Sequence, residues 1–140
     1  MKKDDNCLYC TRNALQKELM IEICDLKAST LFLFKEQSHP GRCVVAYKDH
    51  VNELFELNDE DRNLFMDDVA HVARTMQQVF APKKINYGAY SDKLAHLHFH
   101  IVPKYEDGLS FGGTFEMNPK KTYLTDSKYQ EMIDKIKTAL

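Results

Sequence analysis

The sequence predicts an α+β fold: a five-stranded antiparallel sheet with one long helix, a short N-terminal helix and a C-terminal helix. Three observations predict it. Five short segments rich in β-branched and aromatic residues are bounded by turn residues. One long stretch repeats apolar residues at three- and four-residue steps. The last two strand-like segments are joined by the short run Ser91-Asp-Lys-Leu-Ala95, which suits antiparallel neighbours.

In chain order, residues 1–6 are polar and expected to fray. Thr11 to Glu18 reads as a short helix with Thr11 as its N-cap. Met20–Leu26 and Thr30–Phe34 read as two strands around the turn Lys27-Ala-Ser, a hairpin. After the breaker-rich loop 35–41, Arg42–Tyr47 is a third strand. Val51–Leu57 is a short helix or extended linker. The long helix opens at Asn58 or Asp59, with acidic residues in its first turn where they suit the macrodipole. Leu64, Phe65, Val69, Val72, Met76, Val79 and Phe80 form its core stripe, and Pro82 ends it. Lys84–Tyr90 is a fourth strand interrupted at Gly88, and His96–Val102 a fifth, closed by Pro103. A glycine-bearing loop, 104–118, leads to the amphipathic helix 126–140.

The fifth strand carries the chemistry. His96, His98 and His100 alternate with Leu97, Phe99 and Ile101. In a strand, three imidazoles share one face and three apolar side chains enter a core on the other. Three of the chain's six histidines within five residues exceed what an ordinary solvent-facing strand requires. The spacing suits either a zinc site or a catalytic histidine oriented by two neighbours.

Composition narrows the classes. At 140 residues, 44% hydrophobic and 29% charged, the chain is long and apolar enough for one globular domain, 1–140. A net charge of −2 argues against a stable nucleic-acid complex. No apolar leader region or membrane-length run occurs, so a cytoplasmic location without membrane contact is expected. In that compartment cysteines stay reduced. Cys24 and Cys43 read as buried hydrophobes, whereas the Cys7-Leu-Tyr-Cys10 pair has metal or redox spacing.

His96 to Val102 resembles, at every position, the His-φ-His-φ-His-φ-φ signature (φ, apolar) of the histidine-triad (HIT) superfamily of nucleotide hydrolases and transferases. The resemblance covers residues 7–103; the loop and helix of 104–140 lie outside the signature. It implies cleavage at the α-phosphate of a nucleotide conjugate, such as a phosphoramidate, an adenylate or a dinucleoside polyphosphate, with no organic cofactor. His98 would be the nucleophile, forming a nucleotidyl-imidazole, and His100 would donate to phosphate oxygens. Asn86 resembles the family's amide residue near the scissile phosphate. Two departures stand out. Pro40-Gly41-Arg42 replaces the usual Pro-Gly-His, whose His supports the triad, so His39 would substitute for that imidazole from another direction or Arg42 would instead bind phosphate. Ser91-Asp92-Lys93 stands where the family carries Gly-Gln-Ser/Thr.

The resemblance also implies a structural Zn²⁺ on Cys7, Cys10, His50 and His96, a closed Cys₂His₂ site, and a homodimer. Two other functions compete with the nucleotidyl hydrolase: a nucleotide-binding module with weak turnover, and an open-site zinc hydrolase built on His96, His98 and His100.

Overall fold

The computed structural model describes residues 2–93 and 95–140. Met1, in the terminus expected to fray, and Leu94, in the connection before the triad, lie outside the described residues. The elements are α1 (Leu8–Thr11), α2 (Ala14–Leu19), β1 (Met20–Asp25), β2 (Ser29–Phe34), β3 (Cys43–Tyr47), a 3₁₀ turn (Leu54–Glu56), α3 (Asp59–Phe80), β4 (Lys84–Gly88), β5 (His98–Lys104) and α4 (Asp126–Ala139). The five strands form one antiparallel sheet in the order β1-β2-β3-β5-β4. No helix among the described residues is long and apolar enough to cross a membrane.

Both faces of the sheet are covered, which is why β2 and β3 read as continuous apolar runs. On one face Leu31, Leu33, Val45 and Ile101 pack against Phe65, Val69, Val72 and Met76 of α3 and Ile133 and Ile136 of α4. Each such side chain contributes about 1.5–3 kcal/mol by burial. On the other face Phe32, Phe34, Val44 and Ala46 meet Leu8 and Tyr9 of α1. The triad histidines lie on this second face, because His98 pairs with Ala46 and His100 with Val44 across the β3–β5 ladder.

Several boundaries differ from the sequence reading; β4, for one, ends at Gly88 rather than Tyr90. The single N-terminal helix is two: Arg12 adopts a left-handed conformation (φ 51°) that stops α1, and Asn13 caps α2 by accepting from Gln16 N–H. Thr11 is therefore no N-cap; its hydroxyl donates back to the Cys7 carbonyl. The N-terminal residues are tied down, since the Lys2 carbonyl accepts from His50 N–H and the Asp4 carbonyl from Cys7 N–H. Regular pairing in β5 starts at His98 and runs through Pro103 to Lys104. The β3 ladder ends at Ile101, so Pro103 has β4 as its sole strand neighbour, and a residue without an N–H is tolerated there.

One buried carboxylate holds the β1–β2 turn to the long helix. Asp68 of α3 accepts from Lys27 N–H, Ala28 N–H and Ser29 Oγ–H, the last at 2.6 Å. Asp68→Ala leaves these donors without partners and is expected to cost about 2–4 kcal/mol. Urea unfolding measures it; a loss below about 1 kcal/mol would show that water replaces the carboxylate.

Candidate active site

The connection before β3 sets the site's floor. Gly41 has φ 92°, and a Cβ there would lie 2.7 Å from the Phe80 ring, so this turn requires glycine. The turn delivers Arg42 to the triad face, where its guanidinium stacks on Phe34, 4.0 Å from the ring centroid. Arg42 is 0% exposed. Nη1 donates to the Met117 carbonyl at 2.7 Å, and Nη2 donates to His100 Nδ1 at 3.1 Å and contacts Met117 Sδ. Burial lowers its pKa to about 10. Among the described residues it makes no salt bridge with a carboxylate, and its Nε has no hydrogen-bond partner.

Neighbours fix each imidazole proton, because carbonyls only accept and guanidinium only donates. The His96 carbonyl lies 2.7 Å from His98 Nδ1, and Ser91 Oγ 3.1 Å from the same atom. Nδ1 of His98 therefore carries the proton and Nε2 the lone pair. His100 is the reverse: Nδ1 accepts from Arg42, so the proton sits on Nε2. His96 donates Nε2–H to the Tyr47 carbonyl at 2.7 Å, leaving the lone pair on Nδ1. Burial keeps all three rings neutral. It lowers the His98 pKa; with the Arg42 charge and His98 it pushes His100 down to about 2; and it brings His96 to about 4. The result is a lone pair and an N–H on adjacent rings, His98 and His100, whose centroids are 5.2 Å apart.

His96 serves a different cluster. Its Nδ1 faces Cys7 Sγ (3.3 Å), Cys10 Sγ (3.6 Å) and His50 Nδ1 (3.3 Å), and Cys10 Sγ lies 3.5 Å from His50 Nδ1. All four ligand atoms lie within 4.8 Å of one another. Tetrahedral zinc, with bonds of about 2.1 Å to nitrogen and about 2.3 Å to sulfur, has ligand–ligand edges of about 3.3–3.8 Å. The cluster fits that ion. The His96 Nε2–H bond to a backbone carbonyl is the outer contact that orients a ligating imidazole. Among the described residues the metal-competent group takes His96 and omits His98 and His100, so the three triad rings do not converge on one open metal site.

The other expected site residues engage the protein itself. His39 is buried and donates Nε2–H to the Glu116 carbonyl at 3.0 Å. Asn86 projects on the triad face of β4, paired with Val102, and its Oδ1 accepts from Lys104 Nζ at 3.3 Å.

Sequence reasoning assigned no site role to six residues here. Tyr9 lies against His98 and His96, with centroid distances of 4.9 and 5.1 Å. Ser91, at φ 100°, presents its hydroxyl to His98. Lys104 is buried and donates to the Gly113 carbonyl at 2.8 Å. Phe115 lies 5.3 Å from the Arg42 guanidinium and 6.2 Å from the His100 centroid. Met117 holds Arg42. Glu36 accepts from Ser38, Lys121 and Thr122 amides; burial alone would raise its pKa, but these bonds outweigh that and hold it below the usual carboxylate range. Residues 113–117 thus form a strap across the triad face, fastened at Gly113, Glu116 and Met117 by Lys104, His39 and Arg42. Two signals in the sequence pointed this way: a lysine directly after the apolar strand, and Phe115 and Met117 within a polar loop.

Comparison with known proteins agrees with this architecture. The family model described as the HIT domain matches residues 20–107. The chain is 26% identical over 133 residues to "Protein hit" of Bacillus subtilis, covering 91% of this chain and 88% of that one. It is 22% identical over 138 residues to adenosine 5′-monophosphoramidase hnt1 of Schizosaccharomyces pombe, covering 94% and 99%. A histidine triad protein structure from Sinorhizobium meliloti superposes with TM-score 0.84 at 19% identity, over 91% of this chain and 95% of that one. A Zn-bound histidine triad family protein from Mycobacterium smegmatis does so with TM-score 0.67 at 16% identity, over 96% and 92%. With a family match over more than half its length and the triad on the expected face, the chain belongs to the HIT family.

Proposed function

We propose that the chain is a nucleotidyl hydrolase or transferase acting at the α-phosphate of a nucleotide conjugate, with His98 as nucleophile. The observation that carries this reading is the opposed tautomers of His98 and His100. A nucleophilic imidazole needs a free lone pair, and His98 Nε2 is the triad nitrogen left with one and not committed to the metal cluster. His98 Nε2 bonds to phosphorus and the bond to the leaving group breaks, its electron pair and a proton from solvent going to that group. Water, or another acceptor hydroxyl, then cleaves the P–N bond, releases the nucleotide and restores the neutral imidazole. His100 Nε2–H is the donor for a non-bridging phosphate oxygen, where charge gathers in the transition state. Similarity to a yeast adenosine 5′-monophosphoramidase supports the same class.

Cys7, Cys10, His50 and His96 would hold zinc in a closed four-ligand site that ties α1 to the residue preceding β5. When bound, the ion supplies cross-linking and leaves no open position for substrate.

Time-resolved mass spectrometry of the intact protein tests the reading. During turnover of adenosine 5′-phosphoramidate or a dinucleoside polyphosphate, the wild type is expected to carry a transient nucleotidyl adduct that His98→Ala lacks. One observation favours a second reading, a nucleotide-binding module with weak turnover: Tyr9 and Phe115 flank the triad, leaving His98 6% and His100 7% exposed. Binding without adduct or monophosphate release would select it.

A further inference from the structure

Arg42 is a buried cation whose partners are unusual for its charge. Its contacts are two aromatic faces, a carbonyl, a thioether and one imidazole nitrogen. Among the described residues no carboxylate forms an ion pair with it, and Glu36 acts on it only through space, so such a cation costs stability and the arrangement calls for a reason. Guanidinium provides one property that a histidine at this position lacks: it can only donate. A histidine here could accept or donate, and His100 could then hold its proton on either nitrogen.

We infer that Arg42 is a positioning residue: it locks the proton of His100 onto Nε2, and the 113–117 strap locks Arg42. This deepens the proposed function and rests on it for its catalytic consequence, while the proton placement stands on the geometry alone. Three features hold the guanidinium in the one orientation that reaches His100 Nδ1. The Phe34 and Phe115 rings lie 4.0 and 5.3 Å from its central carbon, and the Met117 carbonyl fixes Nη1. The strap lies beyond the triad strand, so residues outside the signature determine which hydrogen-bonding group His100 offers the phosphate.

The test reads the proton directly. In protein labelled with ¹⁵N-histidine, long-range ¹H–¹⁵N correlation distinguishes the two tautomers. Wild-type His100 is expected to show only the Nε2–H form from about pH 5 to 8. An Nδ1–H form would overturn the inference at once. Arg42→Met removes the donor while keeping length and apolar packing; His100 is expected to become a mixture of tautomers. With adenosine 5′-phosphoramidate as probe, kcat is expected to fall about 10–100-fold while KM stays within about threefold. Arg42→Lys, which also only donates, is expected to keep the Nε2–H form and recover part of the rate. A pure Nε2–H form in Arg42→Met would overturn the lock. So would a raised KM at unchanged kcat, which would make Arg42 a substrate-binding residue. Should Arg42→Met not fold, Phe115→Ala replaces it: removing one wall of the stack is expected to produce the same mixture, and an unchanged spectrum would overturn the role of the strap. If no nucleotide conjugate is turned over by the wild type, the proposed function fails, and the tautomer spectra still decide the lock.

Discussion

His98→Ala is expected to lower turnover by at least about 10⁴-fold, the loss typical of removing a covalent nucleophile. The expectation follows from the site's asymmetry. His96 has its lone pair in the cysteine cluster, and His100 has its lone pair covered by Arg42. Neither neighbour can take over the attack without breaking a buried contact. The fold should survive, because the hydrogen bond lost is to the His96 carbonyl, worth about 0.5–1.5 kcal/mol net. Monophosphate release and thermal unfolding, measured on the same preparation, separate the two effects. Residual activity within about tenfold of wild type would transfer the chemistry to another group.

Replacing Cys7 and Cys10 together by serine is expected to remove about 3–5 kcal/mol of stability, seen as a fall of about 10–20 °C in Tm. The magnitude reflects what the cluster joins. Cys7 and Cys10 belong to the start of the chain, His50 follows β3, and His96 precedes β5. The first helix is four residues long and has no side-chain N-cap bond. Without the cross-link it rests on Leu8 and Tyr9 against the sheet. Elemental analysis should find one zinc per chain in the wild type and none in the double variant. Because Tyr9 lies between the two cysteines and against His98, activity should fall with the loss of structure and return when zinc is supplied during refolding. Prompt loss of activity on chelation at unchanged Tm would indicate a catalytic ion instead. A wild type that binds no zinc, with the double variant equally stable, would leave two reduced thiols as the correct reading.

The long helix was legible from its three- and four-residue steps, and the sheet from two-residue alternation in β1 and the triad strand together with the short apolar runs of β2 and β3 between turn residues. The triad was legible for the same reason. The cluster of Cys7, Cys10, His50 and His96 emerged from the HIT resemblance applied to their positions, and it assembles in space. What could not be read was non-periodic. Nothing in a linear pattern announces that Arg12 turns left-handed and splits a helix, since that depends on one backbone angle. The strap was signalled by Lys104, Phe115 and Met117, but its fastenings were illegible for a related reason. Its contacts are single side chains bonding single carbonyls across long separations, with no repeat to reveal them. Arg42, His39 and Asn86 were located as candidates near the phosphate; the structure places their polar atoms on the Met117 and Glu116 carbonyls, His100 and Lys104.

The fastening of the strap bears on the order in which the site matures. Two of its ties span 75 residues from Arg42 to Met117 and 77 from His39 to Glu116, and the segment just after it is held across 86 residues by Glu36 and Thr122. Contacts so distant along the chain close late, because loop entropy must be overcome before they contribute. The β1–β2 hairpin and α3 involve local contacts and need none of these ties. The sheet is thus expected to assemble with its histidines in place but with Arg42 unclamped, and the proton arrangement of the triad to be completed when the strap, residues 113–117, docks. Pulse-labelled hydrogen exchange during refolding should find the Lys121 and Thr122 amides, in the segment that follows the strap and docks with it, protected after those of β2 and β3. Simultaneous protection would mean that strap and sheet form in one step.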